Sequence, residues 1–107
     1  MIKHKNFVAN AWLAQGNGEH LTVVDKYNGA ELSKLPLATE AQMENAIAAS
    51  VEAFEEMRTW SAGKRAENLW ALRNKIEAHA EELAQLIMKE AGKPISYARN
   101  EIARCIT

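Results

Sequence analysis

The most reactive side chain in this sequence belongs to its single cysteine, Cys105. A thiol becomes a nucleophile when a nearby base or positive charge stabilises its thiolate. Cys105 comes three residues after Ile102, on the apolar face of a helical pattern, and free cysteine is among the most often buried residue types. We therefore expect Cys105 to be a buried structural residue and not a catalytic nucleophile.

Three histidines could act as bases or metal ligands, but they are scattered along the chain: His4, His20 and His79. None lies in an HExxH helix pattern, and a single cysteine cannot supply the Cys/His spacing of a structural zinc site. Isolated histidines of this kind are usually surface or capping residues. We assign them no catalytic or metal-binding role.

The segment Gly16-Asn17-Gly18 has the glycine content of a phosphate-binding loop. A dinucleotide loop follows a buried strand and opens a helix, whose N-terminus faces the pyrophosphate. Here Glu19 and His20 lead into another strand-like stretch, so the segment is interpreted as a hairpin loop. The residues alone predict no catalytic and no cofactor-binding residue in this chain.

The composition is that of an ordinary soluble protein. Thirteen Lys and Arg oppose fourteen Asp and Glu, for a net charge of -1, which provides no basic field for nucleic acid. One cysteine cannot close an internal disulfide, which favours the cytoplasm. The sequence contains neither a signal-peptide core nor a spanning segment. We expect a cytoplasmic protein without nucleic-acid or membrane partners.

The elements that would position any site fall into two regions, and the first has the composition of short strands. β-Branched and aromatic residues concentrate in residues 7–13, 21–24 and 30–35. Asn28-Gly29 favours a tight turn, because both residues tolerate positive φ. We predict an N-terminal β-meander over residues 1–38.

Residues 39–107 instead follow the period of a helix. Thr39 and Gln42 match a capping box, Ser61 is a second candidate cap, and the Gly-Lys-Pro sequence at 92–94 is typical of a helix junction. Between the second cap and this junction, one long helix or two end to end fit equally well. The sequence therefore predicts an α+β fold that is mainly α-helical.

Apolar residues recur three and four apart on these helices, which predicts uncovered faces if nothing packs on them. In the first helix these apolar residues are Met43, Ala46, Ile47, Val51 and Phe54, and Ser50 lies on the same face. The last pattern runs to Thr107 without a stop signal, so we expect a truncated part of a larger domain. The alternative is a stand-alone helical protein-interaction module, and continuation of the reading frame past Thr107 would distinguish the two.

Several motifs in order resemble the N-terminal region of the aldehyde dehydrogenase superfamily. They include Phe7–Trp12, Val23–Glu31, Lys64–Glu67, Glu90–Pro94 and Ala98–Ile102. The combination is most similar to the branch that includes lactaldehyde and non-phosphorylating glyceraldehyde-3-phosphate dehydrogenases. Two positions depart from the pattern: Asn10 stands for a hairpin glycine, and Lys26 stands for the proline of an Asn-Pro turn.

The resemblance implies a parent enzyme with an α/β aldehyde dehydrogenase fold that uses NAD or NADP. In that family a cysteine thiolate attacks the aldehyde, an asparagine and a backbone amide hold the oxyanion, and a glutamate activates water. The matching residues are expected beyond Thr107, and Cys105 does not match the nucleophile motif. This chain would be an inactive scaffold without bound cofactor, partnered by the remaining chain in a homo-oligomer.

The resemblance also implies a monovalent cation site, incomplete in this chain. Many family members hold such an ion between a carbonyl before the Asn-Pro turn and an acidic side chain before Gly-Lys-Pro. The matching positions are Val24, with Val23 beside it, and Glu90, and oxygen ligands suit a hard cation. The alternative is that Glu90 is a solvated carboxylate without a ligand role.

Overall fold

The computed structural model describes residues 2–13 and 18–107. The described chain forms two compact units, Met1–Val23 with Glu31–Trp60 and Val24–Ala30 with Ser61–Thr107. The elements in chain order are β1 (Ile2–Lys3), β2 (Phe7–Val8), β3 (Ala11–Trp12), β4 (His20–Val24), β5 (Glu31–Pro36), α1 (Glu40–Met57), α2 (Ala62–Ala78), α3 (Ala80–Ala91) and α4 (Ile95–Ile106).

The first unit begins with a tight hairpin formed by β2 and β3. Phe7 pairs with Trp12 across the antiparallel strands, and their rings lie 4.9 Å apart between centroids. The two turn residues have positive φ, 49° at Ala9 and 62° at Asn10, as a two-residue hairpin loop requires. Asn10 thus keeps the turn without glycine, because asparagine tolerates the left-handed region.

Three strands of the first unit form a separate sheet in the order β1-β5-β4. The strand β1 runs parallel to β5, with Ile2 opposite Ser33 and Lys3 opposite Lys34. The predicted α+β class with a small N-terminal β element is confirmed. The parallel pairing was not predicted. Residues 7–13 were predicted as one strand-like stretch from composition, and they contain the hairpin that the family resemblance implied at residues 7–12. Of the predicted loop at 16–18, only Gly18 lies within the described residues.

The helix α1 completes the first unit and begins as predicted. The Thr39 hydroxyl accepts from the Gln42 backbone at 3.1 Å, and the Gln42 amide oxygen accepts from the Thr39 backbone at 3.0 Å. This reciprocal capping box satisfies two backbone donors that would otherwise lack partners. No residue of α1 is buried. The apolar face of α1 is Met43, Ile47, Val51 and Phe54, whose exposed fractions lie between 55% and 61%.

The second unit contains α2, α3 and α4. Ser61 caps α2 by accepting from the Lys64 backbone at 3.1 Å. His79, with φ -112° and ψ 18°, separates α2 from α3. The stretch between Ser61 and Gly92, for which the sequence allowed one long helix or two, therefore consists of two helices end to end. Gly92 closes α3 in the left-handed conformation, with φ 72°, as the Gly-Lys-Pro sequence predicts.

The small core of the second unit lies mainly between α3 and α4. Ala84 and Ala98 are fully buried and Ile102 is 8% exposed; two alanines at a helix contact allow a close approach of the backbones. Partly buried neighbours surround them: Ile76, Ala80, Leu83, Ile87, Ile95 and Ile106. Arg73 of α2 adds a polar link by donating to the Ile106 carbonyl at 3.1 Å.

Among the described residues, no helix is long and apolar enough to cross a membrane. The division of the sequence at residue 38 into a strand region and a helical region stays a prediction.

Candidate functional site

The turn at residues 24–30, which follows β4, is built by the backbone and by two short polar side chains. The Asp25 backbone donates to the Ala30 carbonyl at 2.8 Å. The Asp25 carboxylate accepts from the Tyr27 backbone at 2.8 Å, and the Asn28 side chain accepts from the Ala30 backbone at 2.9 Å. Such Asx-type contacts fix a turn locally. The sequence therefore holds the Val24 carbonyl at a defined place without a proline at position 26.

The 24–30 turn is bonded to the C-terminal end of α3. The Lys26 backbone donates to the Lys89 carbonyl at 2.9 Å, which satisfies one of the acceptors that a helix end leaves open. A Cβ added to Gly92 would lie 3.1 Å from the Lys26 Cβ. Gly92 is thus required both by its positive φ and by the Lys26 stem that passes close to it.

The structure brings the predicted cation ligands into the same unit but places a lysine at one of them. The Val24 carbonyl accepts from the Lys26 ammonium, with Nζ 3.3 Å from the oxygen. Glu90 is exposed, and within the described residues its carboxylate has no ion-pair partner. Val24 and Glu90 as monovalent cation ligands stay a prediction, and the Val24 oxygen already faces a positive charge.

A second pair of charges lies at the junction between α3 and α4. The Lys93 ammonium forms an ion pair with the Glu101 carboxylate.

Within residues 2–13 and 18–107, no group of three or more histidine, cysteine, aspartate or glutamate side chains could hold a metal ion. The His79 Nδ1 lies 3.1 Å from an oxygen of Glu82, three residues along the chain.

An ion pair with two hydrogen bonds joins α3 to α4 in the second unit. The Arg99 guanidinium donates through Nε and one terminal nitrogen to both Glu81 oxygens, at 3.0 Å and 2.8 Å. These bonds, with a further one from Gln85, lower the pKa of Glu81 from 4.5 to about 2. The sequence reasoning missed Glu81, because residues 18 positions apart show no local pattern. The pair orients two helices and has no reacting partner.

Cys105 is exposed, so the prediction that it is buried was wrong. The apolar face of α4 splits at its C-terminal end: Ile102 packs against α3, while Cys105 borders an open groove between α2 and α4. Leu69, Trp70 and Leu72 line the same groove and are more than half exposed. Helical periodicity identified the face correctly, but it could not show that the described chain leaves this part uncovered.

The described residues do not fit a dinucleotide. Such a site needs a strand, a glycine loop and a helix N-terminus in succession. Gly18 is followed by β4 and not by a helix. Residues 2–13 and 18–107 therefore form no strand, glycine loop and helix in the order that a phosphate cradle requires.

Comparison with known proteins places the chain in a family. The sequence profile of the aldehyde dehydrogenase family matches residues 12–107. A probable aldehyde dehydrogenase from a Pseudomonas species is 41% identical over 82% of this chain and 18% of its own length. Malonate-semialdehyde dehydrogenase 2 from Geobacillus thermodenitrificans is 34% identical over 95% of this chain and 21% of its own.

The solved structures agree with the sequence relatives. Aldehyde dehydrogenase 21 from Physcomitrella patens, in complex with the reaction product succinate, superimposes with a TM-score of 0.91 at 33% identity, covering 98% of this chain and 22% of that one. Other structures of the same fold are complexes with NADP or with NAD+. The chain spans about a fifth of the length of the relatives it matches. The chain belongs to the aldehyde dehydrogenase family.

Proposed function

We propose that this chain is the N-terminal scaffold portion of an NAD(P)-dependent aldehyde dehydrogenase that oxidises an aldehyde to a carboxylic acid through a cysteine thiohemiacetal. The observation that carries the proposal is the family match over residues 12–107. It is supported by the superposition on aldehyde dehydrogenase 21 along 98% of this chain. The catalytic cysteine, the oxyanion donors and the cofactor-binding residues are assigned to the part of the enzyme outside these 107 residues.

The chain's own contribution is to present helices at fixed positions. The capping box at Thr39 and the Glu81–Arg99 pair fix where helices begin and how α3 meets α4. The apolar face of α1 is then available for burial against further protein, which would stabilise the assembly by roughly 25 cal/mol for each Å² of apolar surface covered. Helices that act as a scaffold need apolar faces of this kind to pack against the rest of the enzyme.

We propose further that the full enzyme is a cytoplasmic homo-oligomer. The exposed apolar faces of α1 and α2 support a covering surface, either from the same polypeptide or from a second copy. A single cysteine supports a reducing compartment. Sedimentation of the full-length protein and its location in fractionated cells measure these two properties directly.

An activity assay tests the proposed function. The full-length protein is expected to reduce NAD+ or NADP+ in the presence of an aldehyde, while the 107-residue chain alone is expected to show neither turnover nor tight dinucleotide binding. The names of the relatives suggest a substrate panel of malonate semialdehyde, the semialdehyde whose oxidation gives succinate, and lactaldehyde. Reduced nicotinamide is followed by its absorbance.

The control for this assay is Cys105→Ser in both proteins. Because Cys105 is not assigned as the nucleophile, the full-length variant should keep its activity. Turnover by the short chain that disappears in Cys105→Ser would contradict the scaffold proposal. A full-length protein that oxidises no aldehyde of the panel, yet captures a partner through α1, would favour the interaction module instead.

A further inference from the structure

The Lys26 side chain lies at the carbonyl where the family resemblance places a free cation. Its Nζ is 3.3 Å from the Val24 oxygen. Its backbone is held by the Lys89 carbonyl at 2.9 Å, and its stem passes the Gly92 backbone, where an added Cβ would lie 3.1 Å from the Lys26 Cβ. Both ends of the residue are thus positioned by contacts within one unit.

The chemistry of a lysine ammonium matches that of the ion it would replace. An ammonium group is a compact, strongly hydrated positive charge with three donors and no acceptor. A backbone carbonyl satisfies it in the same way as it satisfies a small metal cation. A second positive charge at the same oxygen would be repelled by the first. The contact is solvent-exposed in this chain, so water weakens the repulsion here, and it would strengthen where further protein excludes water.

Among the described residues, the Lys26 ammonium forms no ion pair, so no carboxylate at ion-pair distance offsets a second positive charge beside it. The other predicted positions are Val23, beside Val24, and Glu90, which is exposed and makes no ion pair within the described residues. We propose that the Lys26 ammonium is a covalently attached cation at the Val24 carbonyl, and that it excludes a free monovalent ion from this position.

This proposal makes a prediction about salt that is opposite to the prediction from the resemblance. The test measures the thermal unfolding midpoint of the full-length protein in sodium, potassium and choline chloride at equal ionic strength, so that general screening is the same. The wild type is expected to have the same Tm in all three salts. Lys26→Met opens the carbonyl to a free ion and is expected to gain roughly 2–4 °C in sodium or potassium over choline.

The matched control is Lys89→Met, which removes one positive charge from the neighbouring helix end and leaves the Lys26 contact intact. It should stay insensitive to the kind of cation. A wild-type Tm that rises in sodium or potassium over choline would overturn the proposal, and this result needs no variant to fold. A folded Lys26→Met protein with equal Tm values in all three salts would also overturn it. Aldehyde oxidation is not a readout here, so the outcome is independent of the proposed function.

Discussion

At the scale of single residues, the pair of Glu81 and Arg99 is the contact with the clearest chemical signature. Both side chains are more than half exposed, and exposed ion pairs usually contribute little to stability because water and salt screen them. The geometry is nevertheless two-pronged, with both carboxylate oxygens bonded. Bidentate contacts of arginine fix orientation as well as charge, so the pair positions α4 on α3 more than it adds free energy.

The lowered pKa of Glu81 gives a pH dependence of known sign. The Arg99 bonds come first and the Gln85 bond second in lowering that pKa from 4.5 to about 2. A carboxyl group with a lowered folded-state pKa stabilises the fold above its unfolded-state pKa and loses that contribution as the pH falls through the folded value. We expect Glu81→Gln to reduce the free energy of unfolding at neutral pH and to weaken its decline between pH 4.5 and about 2.

Urea unfolding of wild type and variant across this pH window measures the effect. The control is Glu82→Gln, which removes a carboxylate from the same turn of α3 but leaves Arg99 paired; it should keep the wild-type decline. Identical pH profiles for Glu81→Gln and the wild type would show that the pair is not linked to folding.

At the scale of elements, two glycines of the second unit have opposite roles. Gly92 ends α3 with φ 72° and lies against Lys26, whereas Gly63 lies within α2, where an added Cβ would meet only the Ser61 hydroxyl at 3.8 Å. A non-glycine residue in the left-handed region costs roughly 1–2 kcal/mol. We expect Gly92→Ala to lower the free energy of unfolding by at least that amount. Gly63→Ala should be neutral or stabilising by up to about 1 kcal/mol. Paired denaturant titrations compare them, and equal losses in both variants would contradict the assigned roles.

The elements that the sequence predicted well are those set by neighbours in the chain. The caps at Thr39 and Ser61 and the stop at Gly92 each depend on residues within a few positions. Contacts between distant residues were not predictable from local patterns. The pairing of β1 with β5, for example, joins residues about 30 positions apart in the chain. The break at His79 was left open, because helical periodicity continues on both sides of it.

The candidate site divides in the same way into features that local motifs predict and contacts that they do not. The resemblance named Val24 and Glu90 from motifs that lie about 65 positions apart, and the structure places both in one unit. The resemblance did not predict the Lys26 ammonium at the Val24 carbonyl. The motif shows that lysine replaces proline at position 26, but it does not show where the lysine side chain lies. Periodicity likewise predicted the face on which Cys105 lies but not whether that face is covered.

At the scale of the whole molecule, each unit carries apolar surface that its own residues leave open. In the first unit this is the face of α1 with Met43, Ile47, Val51 and Phe54, and in the second it is the groove that Cys105 borders. Contiguous exposed apolar surface is typical of an interface or of a packing surface. A scaffold role explains both faces with one cause, since the chain spans about a fifth of its relatives' length.

The uncovered faces predict that the 107-residue chain self-associates, and that the same faces are protected in the full-length protein. Sedimentation over a wide concentration range should show a rising mean mass for the chain.

Phe54→Glu should reduce this rise in mean mass, because it places a charge on the apolar face of α1. The Phe54 side chain is 60% exposed, so the substitution need not disturb folding. Glu52→Gln, a conservative change elsewhere on the exposed surface of α1, is the matched control and should leave association unchanged. Labelling of the Cys105 thiol gives an independent measurement. We expect it to be fast in the dilute chain and slow in the full-length protein, because the scaffold role requires further residues to cover the groove between α2 and α4. A monodisperse monomer at all concentrations, with equally fast labelling in both proteins, would mean that these faces are ordinary solvent-exposed surface and that the scaffold interpretation of α1 and α2 is wrong.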